Sequence, residues 1–228
     1  GNSAAATAKM VLTSGGSNNE GRLGVGTTHP ASGAGLDAFI EVQGGDPGIV
    51  LRDDTASDAV ELYNAGGTFV AYTGSADALK IDSTGAVTKP LQPAFLAYPS
   101  ALQSNMSSGT DLLFATEVFD QNADFDTSNS TFTAPVTGRY ALGFSIRLQE
   151  VPDDAAYVLV TVPTSNRVYY YIYDTGVFDE DGAYLEFNGS YFADMDANDT
   201  AKVQYTQSSG TTSTDKSSAS YFYGYLVC

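Results

Sequence analysis

Cysteine is almost missing from this sequence: Cys228 alone closes a chain of 228 residues. A disulfide framework within the chain is thereby excluded, and stability has to come from packing or from association of chains. Histidine is as scarce, with His29 the single example. A Ser-His-Asp relay would have to recruit it from a Gly/Thr loop ahead of Pro30, and no Ser stands in a G-x-S-x-G elbow. His29 therefore reads as a surface or packing residue. Cys228, with no base beside it, reads as a free thiol or an inter-subunit contact. Lys and Arg number 10 against 27 acidic residues, a formal net charge of −17. Such a surface repels a phosphate backbone, so nucleic-acid binding is not expected, and the charge suits an exposed, self-repelling extracellular or particle surface. The longest apolar run, residues 157–162, is far too short to cross a bilayer, so membrane insertion is not expected either. No charged-then-apolar segment opens the chain, and its first residue is Gly, as in a processed or truncated product. Helical periodicity is missing throughout.

What the sequence does hold is alternation. After the corner Pro135-Val136-Thr137-Gly138, Leu142, Phe144, Ile146 and Leu148 fall on one face of a long strand, and Ala141, Gly143, Ser145 and Arg147 on the other. Phe132 and Ala134 alternate likewise on the segment before it. Pro135 closes that segment because it has no N–H for a ladder bond. Strands are expected near residues 94–97, 112–119, 130–134, 139–148, 157–162, 167–173, 183–192, 201–206 and 220–227. Their number, with turn signals between them, implies a two-sheet antiparallel sandwich.

Composition changes ahead of that sandwich. Residues 1–90 are rich in Gly, Ala, Ser, Thr and Asp, whereas nearly all the Tyr and most of the Phe come later, and Lys89-Pro90-Leu91-Gln92-Pro93 marks the boundary. Residues 1–20 read as an extended lead-in or linker. Residues 21–90 read as a thin β-meander, with short strands at Ile49-Val50-Leu51, Val60-Glu61-Leu62, Phe69 to Tyr72, Leu79-Lys80-Ile81 and Ala86-Val87. Turns at Asn64-Ala65-Gly66-Gly67 and Asp82-Ser83-Thr84-Gly85 separate them. A meander this thin lacks a core of its own and is expected to share one among three copies. Gly24 and Gly26 do not make a phosphate loop, since no third Gly follows at the required spacing and no helix opens after them. Close approach of strands about a three-fold axis accounts for them better.

The run Phe132-Thr133-Ala134-Pro135-Val136-Thr137-Gly138-Arg139-Tyr140 resembles the F-x-A-P-x-x-G-x-Y signature of the C1q/TNF-like jelly-roll domains, with Phe119-Asp120-Gln121-Asn122 and Phe125-Asp126 as its lead-in. Phe222-Tyr223-Gly224-Tyr225-Leu226 is similar to the closing F-x-G-x-L strand of that family. Met195-Asp196-Ala197-Asn198-Asp199-Thr200-Ala201 is similar to its L-x-x-G-D-x-V turn, with Asn198, the next most tolerant residue of a left-handed turn, in place of Gly. The resemblance covers residues 93–228. It implies an all-β fold: a C-terminal antiparallel jelly-roll sandwich over 91–228, preceded by a thin N-terminal β-meander or shaft, the whole trimeric. In the N-terminal part, Leu23-Gly24-Val25-Gly26-Thr27-Thr28-His29-Pro30 resembles the L-G-I-G-T-x-x-P elements of phage and phage-like fibre proteins, and residues 79–87 resemble a turn of viral fibre shafts and collars. The collagen-like Gly-X-Y stalk that usually precedes such heads in the animal proteins is absent from this sequence.

Three acidic clusters stand out: Asp153-Asp154, Asp179-Glu180-Asp181, and Asp194, Asp196 and Asp199 around Asn198. The third places oxygen ligands at alternate positions, as a hard cation such as calcium requires, but it lacks the Gly and the distal Glu of an EF-hand loop. Solvated turn carboxylates are the rival reading. Tyr169, Tyr171 and Tyr173 alternate with Val168, Tyr170 and Ile172, and Tyr221, Tyr223 and Tyr225 with Phe222, Gly224 and Leu226. Strands apolar on both faces are covered on both, one side by the core and the other by a neighbouring subunit or, alternatively, a bound saccharide. N-x-S/T sequons occur at Asn105, Asn129, Asn188 and Asn198.

These readings converge on a structural virion protein: a homotrimeric tail fibre, capsid-attached fibre or spike of a phage or phage-like virus, at the virion surface. Its N-terminal region would meet other virion proteins. Its head, through loops 150–156, 174–182 and 208–218, would meet a host surface glycan or protein. The alternative is a secreted or cell-surface bacterial adhesin that binds glycans. An enzyme is not expected, because no acid, base or nucleophile is singled out, and calcium is the only cofactor the clusters suggest.

Overall fold

The computed structural model describes residues 10–13, 22–25, 40–52, 59–74 and 76–228. His29, the rest of the run from Gly26 to Pro30, and all of the lead-in but residues 10–13 lie outside the described residues. The chain divides into two compact units, Gly1–Pro90 and Leu91–Cys228. Every regular element described in either unit is a strand.

In the first unit, β1 (Met10–Thr13), β2 (Arg22–Val25) and β3 (Ile40–Val42) form a small sheet in which β1 and β2 are antiparallel and β2 and β3 parallel. A five-stranded antiparallel meander follows, made of β4 (Gly48–Arg52), β5 (Ala59–Ala65), β6 (Thr68–Thr73), β7 (Asp77–Ile81) and β8 (Val87–Thr88). Its turns use the expected chemistry. Gly66 and Gly67 have φ of +56° and +86°, and the Asn64 side-chain oxygen accepts the Gly67 N–H at 3.1 Å. Residues directly opposite on antiparallel neighbours share a face. The register therefore sets Ile49, Leu62, Ala71 and Leu79 in one row, Leu51 and Val60 in a second, and Phe69, Ile81 and Val87 in a third, all on one face. The opposite face carries the charges. There Tyr63 donates its hydroxyl to Asp77 at 3.0 Å, Lys80 pairs with the same carboxylate at 2.6 Å, and Val70 is buried. The hydrogen bond from Lys80 holds Asp77 below the usual carboxylate range.

The second unit is a jelly-roll sandwich. It comprises β9 (Ala94–Tyr98), β10 (Thr110–Asp111), β11 (Thr116–Asp120), β12 (Phe125–Asp126), β13 (Thr131–Thr133), β14 (Gly138–Val151), β15 (Tyr157–Pro163), β16 (Val168–Asp174), β17 (Gly182–Met195), β18 (Thr200–Ala201), β19 (Gln204–Ser208), β20 (Asp215–Lys216) and β21 (Tyr221–Leu226). One sheet runs β11-β9-β21-β14-β17, with β20 also paired to β14. The other runs β10-β19-β15-β16, and β12-β13-β18 makes a small third sheet. Alternation along β14 buries Tyr140, Leu142, Phe144, Ile146 and Leu148, each at most 2 % exposed, with Val158, Val160, Val162 and Tyr205 buried in the same core from the other sheet. Burial of each such side chain stabilises by roughly 1.5–3 kcal/mol. Phe95 stacks on Phe125 and Phe132 at 4.8 and 4.9 Å and meets Phe222 edge-on at 5.1 Å, tying β9, β12, β13 and β21 together.

The Pro/Gly corner is a structural device. Strand β13 stops before Pro135, and Tyr140 donates its hydroxyl back to the Val136 carbonyl at 2.7 Å. Asn198 has φ +73°, the left-handed conformation its turn demands, and its N–H reaches the Ala134 carbonyl at 2.7 Å. Two expected strands are broken. Residues 112–115 have no strand, because here the chain passes from the sheet of β10 to that of β11. Leu112 and Phe114, both fully buried, give their N–H groups instead to the Val203 carbonyl (2.8 Å) and the Ser130 hydroxyl (2.6 Å). The stretch 201–206 likewise splits, β18 pairing with β13 and β19 with β15.

Candidate interaction surface

The outer face of the longer head sheet is built by register. Across β9, β21, β14 and β17, one row reads Ala94, Tyr225, Ala141, Phe192. The next reads Leu96, Tyr223, Gly143, Ser190, and a third reads Tyr221, Ser145, Asn188. Tyr221, Tyr223 and Tyr225 are 44 %, 38 % and 50 % exposed, and Phe192 69 %. None of these positions is charged. Charge returns only at the ends, with Arg147 beside Glu186 at 3.7 Å and Arg139 opposite Asp194. The middle of the face needs its glycine: a Cβ on Gly143 would lie 2.4 Å from the ring carbon Cζ and the hydroxyl of Tyr223. With no side chain there, the Tyr223 ring lies over β14. A depression lined by Phe144, Ser145, Asn188, Gly189, Ser190 and Tyr223, about 260 Å³ in volume, opens beside it.

The other three tyrosines of the sequence pattern lie elsewhere. Tyr169 stacks on Tyr191 at 4.1 Å, Tyr171 meets Phe144 edge-on at 4.9 Å, and Tyr173 meets Phe187 at 6.1 Å, so this set closes the sandwich between β16 and β17. Tyr169 and Tyr171 are half-buried, whereas Tyr173 touches Phe187 yet stays 46 % exposed, and its neighbours Tyr170 and Ile172, on the other face of β16, are exposed as well. Burial raises the hydroxyl pKa of Tyr169, Tyr171 and Tyr191. The buried Tyr191 hydroxyl finds no hydrogen-bond partner among the described residues. Leaving such a group unpaired costs about 1–3 kcal/mol. Gly189 serves this cluster as Gly143 serves the outer face, since a Cβ there would meet the rings of Tyr171 and Phe144 at 2.5 and 2.7 Å.

The calcium candidates do not converge. The Asp194 carboxylate is taken by Arg167 through bonds of 2.9 and 2.6 Å, and that hydrogen bond holds its pKa low. Asp199 accepts the Asp196 N–H at 2.9 Å and the Asn166 amide at 3.1 Å, closing the turn. Among the described residues no group of three or more His, Cys, Asp or Glu is placed to hold a metal ion. The other acidic clusters tie loops together. Asp154 accepts the N–H and hydroxyl of Thr211 at 2.8 and 2.9 Å, and Asp181 accepts the Asp153 N–H at 3.0 Å. The loops 150–156, 174–182 and 208–218 are thus brought together at one end of the sandwich.

Sequence reasoning did not single out Phe192, or Gly143 as a seat for Tyr223. A glycine inside a strand was the available signal. It gave no warning of Lys216 either, which is fully buried with its ammonium donating to the Leu113 carbonyl and lying 4.5 Å from the centre of the Phe114 ring.

A C1q domain model matches residues 94–227, more than half of the chain. None of the curated proteins matches it. Among solved structures, the globular domain of the zebrafish complement 1qA protein is similar at 17 % identity and a TM-score of 0.44, covering 60 % of this chain and 98 % of that one. Murine APRIL is similar at 12 % identity and a TM-score of 0.45, covering 60 % and 99 %. The motifs at the corner, the Asn198 turn and β21 fall within the matched residues, and this chain belongs to the C1q family.

Proposed function

We propose that the chain is a non-enzymatic structural protein of a virus particle, a homotrimeric fibre or spike whose C1q-type head is the part that attaches to a host. The observation that carries the assembly is the outer face of the head sheet: exposed Tyr221, Tyr223, Tyr225 and Phe192 around small residues, without a charge, on a chain of net charge −17. Copies of so acidic a chain approach one another best through an uncharged face, and Tyr is favoured at such contacts. The particle assignment draws on the fibre-like run from Leu23 to Pro30, standing where the collagen-like stalk of animal relatives would be. Attachment draws on the loops gathered at one end of a rigid sandwich.

Light scattering of the full chain at micromolar concentration is expected to return three chain masses, and Tyr223→Asp to return one. A single-chain mass for the native protein would remove the assembly. For the particle role, antibody against the full chain should decorate purified virus particles, and added protein should block their adsorption. Decoration of bacterial envelopes instead would favour the adhesin.

A further inference from the structure

The five-stranded meander of the first unit is a single layer, and its two faces are unlike. One bears Glu61, Tyr63, Asp77 and Lys80, joined by the Tyr63–Asp77–Lys80 network. The other, set by the register above, has no charged residue in any row. On it Ile49, Leu51, Val60, Phe69 and Val87 are 53 %, 58 %, 43 %, 42 % and 57 % exposed. Together they leave on the order of 450 Å² of apolar surface bare, the size of the largest patch on a typical soluble monomer, which is often an interaction site. Half-buried Leu62, Leu79 and Ile81 between them bring the face towards the roughly 800 Å² that one partner contributes to a standard interface. A sheet with one apolar face is stable only when a second layer covers it.

We propose that this face is the wall of a second inter-chain core, separate from the head, and that its cover is the same face of two further copies of this chain. The occupant follows from the chemistry of the surface. On a chain of net charge −17 the charges of this sheet lie on the opposite face. Three identical acidic chains can therefore close on an apolar centre with their charges outward. The copy number rests on the homotrimer proposed above. Residues 89–93 connect β8 to β9, so three associated heads hold three copies of the sheet at an effective concentration of about a millimolar.

The test uses the full chain in a Cys228→Ser background, where an introduced cysteine is the only thiol. Val60→Cys and Phe69→Cys report on the apolar face, and Val50→Cys, 54 % exposed on the opposite face, is the control. Maleimide is expected to label positions 60 and 69 at least ten times more slowly than position 50, with the difference lost in urea. Oxidation should instead link Val60→Cys chains to one another through a disulfide. Hydroxyl-radical footprinting of the unmodified chain, expected to find Leu51 and Phe69 protected relative to Val50, decides the matter if a variant fails to fold. A trimer with positions 60 and 69 labelled as fast as position 50 overturns the second core and leaves the head trimer standing. A monomer with the face protected means that the chain covers the face itself, which overturns both.

Discussion

Replacing Lys216 by Met should change how stability depends on pH. Lys216 is fully buried, and among the described residues no carboxylate pairs with it: Asp215 accepts the Asn105 N–H at 2.7 Å, and Asp111 pairs with Lys202 at 2.6 Å. Burial lowers its pKa from 10.5 to about 7. The folded-state value lies below the unfolded one, so the unfolded chain binds more protons between these limits, and stability rises with pH through that window. Above about pH 10.5 both states are neutral and the group costs nothing; below about pH 7 the whole difference is lost. At 1.36 kcal/mol per unit that is roughly 4–5 kcal/mol, part of which the Phe114 ring beneath the ammonium offsets. Lys216→Met removes this dependence but strands the Leu113 carbonyl, at about 1–3 kcal/mol whatever the pH. The variant should therefore be the more stable protein near pH 6.5 and lose its advantage by pH 10. Urea unfolding of both proteins at half-unit steps measures this difference. A difference constant from pH 6.5 to 10.5 would refute the reasoning.

Gly143→Ala should cost the fold less than about 1 kcal/mol, because the Tyr223 ring tip can swing away, yet weaken chain association at least tenfold by lifting that ring off the sheet; calorimetry and sedimentation separate the two effects. Gly189→Ala, whose new methyl would meet two packed rings, should instead lower stability by about 1–3 kcal/mol in thermal unfolding. Asn198→Val should destabilise by about 1–3 kcal/mol, since a β-branched residue at φ +73° is strained, while Asn198→Gly should be close to neutral in the same assay. Incubation with host polysaccharides should release no reducing ends, and turnover abolished by one Asp substitution would overturn the non-enzymatic reading.

Much of this architecture was legible in the chain itself because side-chain alternation and turn chemistry are local. Leu142, Phe144, Ile146 and Leu148 could be assigned to one buried face from spacing alone, since a strand has no other way to use period two. The left-handed turn at Asn198 and the strand end before Pro135 follow from what those residues permit at φ and at the amide nitrogen. Alternation does not say which side of a sheet looks inward, or at what. Tyr169 and Tyr171 have the same pattern as Tyr221, Tyr223 and Tyr225, yet only tertiary packing turned that pair between β16 and β17 and left the second set on the open face. The break at residues 112–115 arises where the chain changes sheets, and the partner that takes the Asp194 carboxylate, Arg167, lies 27 residues away. Lys216 lies beside Leu113 across 103 residues of sequence. Its lowered pKa is therefore a property of the core around it, which no local pattern encodes.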